Sequence, residues 1–241
     1  MLNMFISLAL SALTAALMLK FVTESLPIVV AVAIVGFFLP FILIVKVVMK
    51  KVEVLMSSAQ RDVQANRPEK AIASLKEGIK YGQWQFYIKQ QIFSQIGSIL
   101  YMRRDFNEAI PYLEKGFLRN WVSMAMLAIA YMKKNKTAKM ISTFDKAVSG
   151  SSKEPMLYAL YAFCLDKIGD RQKGIVILEK GLKKTGNDER LQLNIELLKA
   201  GKKMKMKGFG DAWFQFHLEK QGALIKKQTK MMTGRRKQVV R

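Results

Sequence analysis

Two long apolar runs near the start of the chain constrain its fold more than any other feature. Residues 2–19 and 27–45 contain no charged side chain, and a short polar turn separates them. As helices rising about 1.5 Å per residue, they would each cover roughly 27–29 Å, close to the roughly 30 Å hydrocarbon core of a bilayer. The pattern therefore predicts a transmembrane hairpin of two helices within residues 1–50. Small side chains would let the two helices pack closely: Ser7, Ser11, Thr14 and Gly36.

Two alternatives for these runs are weaker. A cleaved signal peptide would carry a basic segment ahead of its apolar stretch, but the first basic side chain is Lys20 and a second apolar run follows at once. A core helix of a soluble domain seldom lacks a polar face over so many turns, because one side of it normally meets water.

The distribution of charge predicts the orientation of the hairpin. Only Lys20 and Glu24 are charged before residue 46, so the net charge of +22 comes from the chain that follows. Lys and Arg residues cluster where the second run ends: Lys46, Lys50, Lys51 and Arg61. Because basic flanks remain inside, we expect both ends of the hairpin and the rest of the chain to face the cytoplasm.

The sequence offers no pattern typical of catalysis, metal binding or cofactor binding. One cysteine, Cys164, and one histidine, His217, are too few for a metal cluster or a Cys/His catalytic set. Cys164 lies in an apolar run and is expected to fill the core. We therefore expect a protein without enzymatic activity and without a cofactor.

The chain after the hairpin repeats a pattern of small and large residues at fixed offsets. Each of three units has a small residue at its eighth position, and positions 20, 24 and 27 hold a small, a large and a small residue, with Met140 as the exception. Small residues let two helices cross closely, and the large residue fills the remaining gap. The three sets are Gly97, Ala109, Leu113 and Gly116; Ala128, Met140, Phe144 and Ala147; and Ala162, Gly174, Leu178 and Gly181.

This pattern resembles the tetratricopeptide repeat (TPR), a repeated pair of helices. The resemblance implies an all-α protein in which the hairpin is followed by a TPR-like α-solenoid of three to four helix pairs over residues 51–200, with units at 90–123, 121–154 and 155–188. Residues 52–85 resemble a degraded earlier unit. Alternatively they continue the second membrane helix, because Asp62 stands where the family has an aromatic residue. Residues 189–199 are expected to form a capping helix. Unrelated helical hairpins would give the same periodicity.

The TPR resemblance also implies a groove, lined by the first helix of each repeat, that binds a peptide or a protein. No Lys, Arg or Asn stands where some family members hold a C-terminal carboxylate, so the expected ligand is an amphipathic helix or an extended apolar segment. Alternatively, some of these side chains are buried between repeats. The expected groove residues are Gln91, Ser94, Ser98, Tyr101, Val122, Ala125, Ile129, Met132, Met156, Ala159, Phe163 and Asp166.

Residues 201–241 form a third region with a different composition. Its aromatic segment (residues 208–218) contains Phe209, Trp213, Phe214 and Phe216. This segment could dock in the repeat groove of the same chain or a neighbour, lie in the bilayer interface, or stack on single-stranded nucleic acid, for which no recognition motif is present. Alternatively, it is a solvated tail. The basic tail that follows would favour anionic lipid and contains Lys226, Lys227, Arg235 and Arg236.

Taken together, these features predict a membrane-tethered scaffold or adaptor that binds a partner protein on the cytoplasmic face. The alternative is an accessory structural subunit of a larger membrane assembly. A two-span anchor ahead of TPR-like repeats resembles the layout of a bacterial inner-membrane family, which implies the cytoplasmic membrane as the location. Nucleic acid is not an expected partner.

Overall fold

The computed structural model describes residues 1–22 and 25–219, and the described residues form helices without any strand. The all-α prediction is therefore confirmed. 3₁₀ helix occupies Ile79–Gln83 and Met206–Phe216, and the latter is interrupted by a kink at Gly210. The α-helices are α1 (Leu2–Phe21), α2 (Leu26–Gln64), α3 (Pro68–Gly78), α4 (Ile88–Met102), α5 (Phe106–Glu114), α6 (Trp121–Lys133), α7 (Thr137–Gly150), α8 (Pro155–Lys167), α9 (Arg171–Lys184) and α10 (Glu189–Lys199).

Helices α1 and α2 pack against each other as a hairpin and are long and apolar enough to cross a membrane. Only 11% of the most apolar window of α1 and 6% of that of α2 is buried, so neither resembles a core helix of a soluble domain. The small side chains mediate the packing as predicted. Ser11 Oγ donates to the carbonyl oxygen of Ala33 at 2.7 Å, and a Cβ added to Gly36 would lie 2.5 Å from Thr14 Oγ1.

Helix α2 continues well past the apolar run, to Gln64, and then packs against α3. The chain therefore has a continuous helix across residue 50, where the first domain was predicted to end. Asp62 lies on this helix, is 9% exposed and pairs with Lys70 of α3 at 3.3 Å. The charged side chains from Lys46 onward end the apolar run without interrupting the helical backbone.

The chain divides into two compact units. The first unit contains Met1–Leu100 and Phe106–Ser123, and the second contains Tyr101–Asp105 and the described residues from Met124 to Glu219. In the first unit, a Cβ added to Gly97 of α4 would lie 2.6 Å from Leu113 Cγ of α5. A small residue therefore faces the large residue of its own helix pair, as the repeat pattern predicts.

In the second unit, α8 is buried on all sides from Met156 through Leu165. A Cβ on Gly181 of α9 would come within 2.5 Å of the Tyr158 ring, and a Cβ on Gly174 within 3.2 Å of the Ala162 carbonyl oxygen. Small residues therefore mark the α8–α9 crossing as predicted. Helix α10 has the predicted capping bounds, packs against α9 and α8, and buries Leu191, Ile195 and Leu198.

Candidate functional site

The predicted groove residues lie mostly in the interior. Helices α6 and α8 are apolar on all faces along most of their length, and residues 124–131 of α6 and 156–165 of α8 are buried rather than lining an open surface. The partly exposed members are Gln91, Ser98, Val122, Met132 and Asp166. The buried members are Ser94, Tyr101, Ala125, Ile129, Met156, Ala159 and Phe163.

In the first unit, Ser94 has a structural explanation for its burial. Its hydroxyl oxygen accepts a hydrogen bond from the backbone N–H of Phe117 at 2.7 Å, and the Ser123 hydroxyl lies 3.4 Å away. A Cβ on Gly116 would lie 2.7 Å from the same oxygen. Ser94 therefore fixes the connection that follows α5.

In the second unit, the aromatic segment is packed against protein. Trp213 is 1% exposed and Phe216 is fully buried, while Phe209 is 8% exposed and Phe214 is half-buried. The Trp213 ring meets the Phe163 ring edge to face, with 4.9 Å between the centroids. A predicted groove residue therefore contacts the predicted docking segment.

The C-terminal end of the aromatic segment is held through its backbone. Tyr101 Oη donates to the carbonyl oxygen of Phe216 at 2.6 Å, and Lys133 Nζ donates to that of His217 at 3.1 Å. His217 Nε2 lies 3.1 Å from the carbonyl oxygen of Met102, a contact that requires Nε2 to carry a proton. The His217 and Tyr101 rings also stack, with 5.9 Å between centroids.

The start of the aromatic segment is held by α10. The Arg190 guanidinium lies 4.6 Å from the centroid of the Phe209 ring, within the range of a cation–π interaction. Asn194 is fully buried, accepts from the backbone N–H of Lys205 at 2.7 Å and donates to the carbonyl oxygen of Arg190 at 2.8 Å. The segment is thus attached at both ends.

Sequence reasoning missed Lys133, Arg190 and Asn194 as residues of this site. Asn194 could have been recognised from the sequence, because it is a polar residue on the apolar face of the capping helix. That face is formed by Leu191, Ile195 and Leu198. A buried amide needs hydrogen-bond partners, and here the backbone just before the aromatic segment supplies one. Lys133 and Arg190 carry no comparable signal, because both resemble ordinary surface cations.

Burial shifts the protonation of several groups in the site. It raises the pKa of the Tyr101 hydroxyl and lowers the pKa of His217. The pKa of Lys133 is also lowered, mainly by burial and to a smaller extent by the positive charge of Arg104. Burial also raises the pKa of the Cys164 thiol, so the nucleophilic thiolate is disfavoured. At neutral pH the site thus presents a neutral phenol and a neutral imidazole to the peptide backbone.

Two polar atoms at the site are buried without a partner among the described residues: Trp213 Nε1 and His217 Nδ1.

Residues 1–22 and 25–219 contain no group of three or more His, Cys, Asp or Glu side chains that could hold a metal ion. The contacts of the site are ring packing and hydrogen bonds to main-chain carbonyls. The basic-tail residues Lys226, Lys227, Arg235 and Arg236 lie outside the described residues.

No protein-family model and no curated protein sequence matches the chain. Among solved structures, one titled MamA RS-1 ArsTM double mutant aligns with 69% of this chain and 93% of that chain, at 15% sequence identity and a TM-score of 0.49. A similarity at this level carries no information about function.

Proposed function

We propose that this protein is a membrane-anchored scaffold without catalytic activity, and that its helix pairs bind a protein partner on the cytoplasmic side. Helices α1 and α2 are the anchor, and the second unit carries the partner site. The observation behind this proposal is the binding of the aromatic segment. Phe163 packs on an aromatic side chain, while Tyr101 and Lys133 donate to main-chain carbonyls.

The chemistry of the bound segment suggests the chemistry of the partner. A surface that holds Trp213, Phe216 and the backbone between them suits another short segment with two aromatic residues at similar spacing. We infer that such a partner segment replaces the aromatic segment at Phe163 and Tyr101. Met132 lies on the same unit, is partly exposed and is available to report on such an exchange.

In-cell photocrosslinking tests this function. A benzophenone amino acid at Met132 of the full chain should form a crosslink to one recurrent protein, identified by mass spectrometry. The double variant Trp213→Ala/Phe216→Ala should increase that crosslink, because it weakens the competing segment. A benzophenone at Lys180, exposed on α9, is the matched control and should not capture the same protein.

The alternative function, an accessory subunit of a membrane assembly, gives a different result. In that case a membrane protein would copurify in fixed stoichiometry with the chain and would crosslink from lipid-facing positions such as Phe38, which is 54% exposed. The double variant would leave that crosslink unchanged. A Met132 crosslink that does not respond to the double variant would contradict the partner site proposed here.

A further inference from the structure

A basic cavity lies beside the end of the apolar stretch of α2, within the first unit. Its volume is about 610 Å³, and three lysines give it a positive charge that Glu77 partly offsets. Two hydroxyl groups, from Ser58 and Ser74, add hydrogen-bonding capacity. The lysines are Lys50 and Lys51 on α2 and Lys80 on the first 3₁₀ helix.

A second cavity, which is apolar, adjoins the basic one. Its volume is about 380 Å³, and Lys51 and Tyr81 line both cavities. From Leu43 to Lys51, α2 rises about 12 Å. The two cavities therefore lie one after the other along α2, the apolar cavity near Leu43 and the basic cavity near Lys51. The remaining wall residues are Ile6, Leu43, Ile44, Val47, Val48 and Trp84.

The chain encloses the apolar cavity from two sides. The amino group of Met1 donates to the carbonyl oxygen of Gln83, so the start of α1 lies beside the first 3₁₀ helix. Ile6 of α1 and Trp84 then face the same cavity as Val47 of α2. The result is a slot between three elements that is apolar at one end and cationic at the other.

We propose that this slot binds one anionic phospholipid, with its phosphate among Lys50, Lys51 and Lys80 and an acyl chain along Leu43 and Val47. This inference rests on the proposal that α1 and α2 span a membrane. A free phosphate ion would leave the apolar cavity empty, whereas a lipid satisfies both ends of the slot. Lysine, tyrosine and tryptophan are also the side chains that favour the level of the headgroups.

The position of Trp84 allows a direct test on the full chain. The variant Trp121→Phe/Trp213→Phe leaves Trp84 as the single tryptophan and is reconstituted in phosphatidylcholine vesicles. Brominated phosphatidylglycerol or brominated phosphatidylcholine is added at equal mole fraction, and quenching of fluorescence is measured. The phosphatidylglycerol should quench more strongly. Its relative affinity should fall about fivefold for each lysine changed to Gln among Lys50, Lys51 and Lys80.

A matched control separates a specific site from general attraction between charges. Lys134→Gln/Lys146→Gln/Lys153→Gln removes the same charge from exposed positions of the second unit and should leave the quenching ratio unchanged. Native mass spectrometry of the chain with its tryptophans intact should show retained phosphatidylglycerol in the parent and the control, and loss of it in Lys50→Gln/Lys51→Gln/Lys80→Gln.

The possible failures are distinguishable. Equal quenching by the two brominated lipids, or an equal loss in the site and control variants, would overturn the lipid site while leaving the membrane anchor intact. Quenching by neither lipid would overturn the anchor together with the site. Partner binding at Phe163 is judged separately by the crosslinking from Met132.

Discussion

The Trp213 ring meets the Phe163 ring at 77°, with 4.9 Å between the ring centroids, and almost none of the indole is exposed. The edge of one ring thus faces the π surface of the other, an arrangement that aromatic quadrupoles favour. Phe163 lies in the part of α8 that is buried on all sides, Met156 to Leu165, so this contact joins the aromatic segment to the core of the second unit. Insertion of the same segment into a bilayer would require the contact to break.

Removing the two most buried aromatic side chains of the segment should loosen it. We expect Trp213→Ala/Phe216→Ala to lower the free energy of unfolding of the second unit by about 3 to 6 kcal/mol, since each buried aromatic contributes about 1.5 to 3 kcal/mol. Hydrogen exchange of the full chain should show faster exchange in residues 208–218 and in the last turn of α4.

Phe214 supplies the matched control for this double variant. It lies in the same segment but is only half-buried, so Phe214→Ala should have a clearly smaller effect on exchange. If the double variant leaves exchange unchanged but weakens binding to anionic vesicles, the aromatic segment docks on the membrane instead. That binding would weaken steeply with added salt, because the basic-tail residues Lys226 and Arg235 would contribute to it.

The helix pairs could be predicted from the sequence because their signals are local. Small residues such as Gly97 and Gly181 mark the crossings, and the apolar period of residues 189–199 gives the capping helix its bounds. The sequence left undecided whether the second membrane helix stops near residue 50 or continues. The apolar run ends at Lys46, but the helical hydrogen bonds of α2 continue to Gln64. Hydropathy reports the surroundings of a helix, not where its backbone ends.

The candidate site could be predicted only in part, because its contacts join residues far apart in sequence. The repeat register placed Tyr101 and Phe163 on the groove face, and the sequence offered docking of the aromatic segment there as one of several alternatives, without deciding among them. Tyr101 and Phe216 are separated by 115 positions, and their hydrogen bond uses a main-chain carbonyl, which no side-chain pattern encodes. Burial of Ile129 and Ala159 likewise depends on neighbours that periodicity does not identify.

The crossing of α4 and α5 predicts a graded response at Gly97. Gly97→Ala should destabilise the first unit, and Gly97→Leu should do so more strongly, by about 1 to 3 kcal/mol, because the added atoms overlap the Leu113 side chain and approach its backbone nitrogen. Chemical denaturation of the full chain in detergent measures the change. Gln95→Leu, at a half-buried position of the same helix, is the control and should be close to neutral.

Gly210 should resist substitution for a conformational reason alone. Its φ of 69° and ψ of −155° lie in a region that is essentially restricted to glycine, and a Cβ there would meet no atom within 4 Å. We expect Gly210→Ala to weaken docking of the aromatic segment by about 1 to 3 kcal/mol, measured by hydrogen exchange. Gly208→Ala, where a Cβ would meet Arg190 at an ordinary 3.7 Å, should have little effect.

The orientation of the anchor remains a prediction that a fusion can test. Because basic side chains cluster after residue 45, a reporter active only in the periplasm should be silent when it is fused after Arg241. The same reporter fused to a truncated chain that ends in the turn between α1 and α2 should be active. Activity of the first fusion would place the second unit on the opposite side of the membrane.

The docking of the aromatic segment should weaken on acidification, because His217 is held in its neutral form. Burial lowers the pKa of His217, and the nearby cations Arg104 and Lys133 lower it further, although a hydrogen bond to the carbonyl of Met102 opposes this shift. The stacked Tyr101 ring is uncharged over the same range, because the ordinary tyrosine pKa of about 10 already lies above it and burial raises the pKa of Tyr101 further.

The sign of the effect follows from which state binds the proton first. The undocked segment takes up a proton near the ordinary histidine pKa of about 6.5, and the docked segment does so only at lower pH, so docking is fully stable above about pH 6.5 and weakens below it. Hydrogen-exchange protection of residues 208–218, corrected for intrinsic rates, should therefore fall between about pH 7.5 and about pH 5.5. His217→Gln, which can still donate to the Met102 carbonyl, should abolish that dependence. An equal dependence in the parent and His217→Gln would assign the effect to another group.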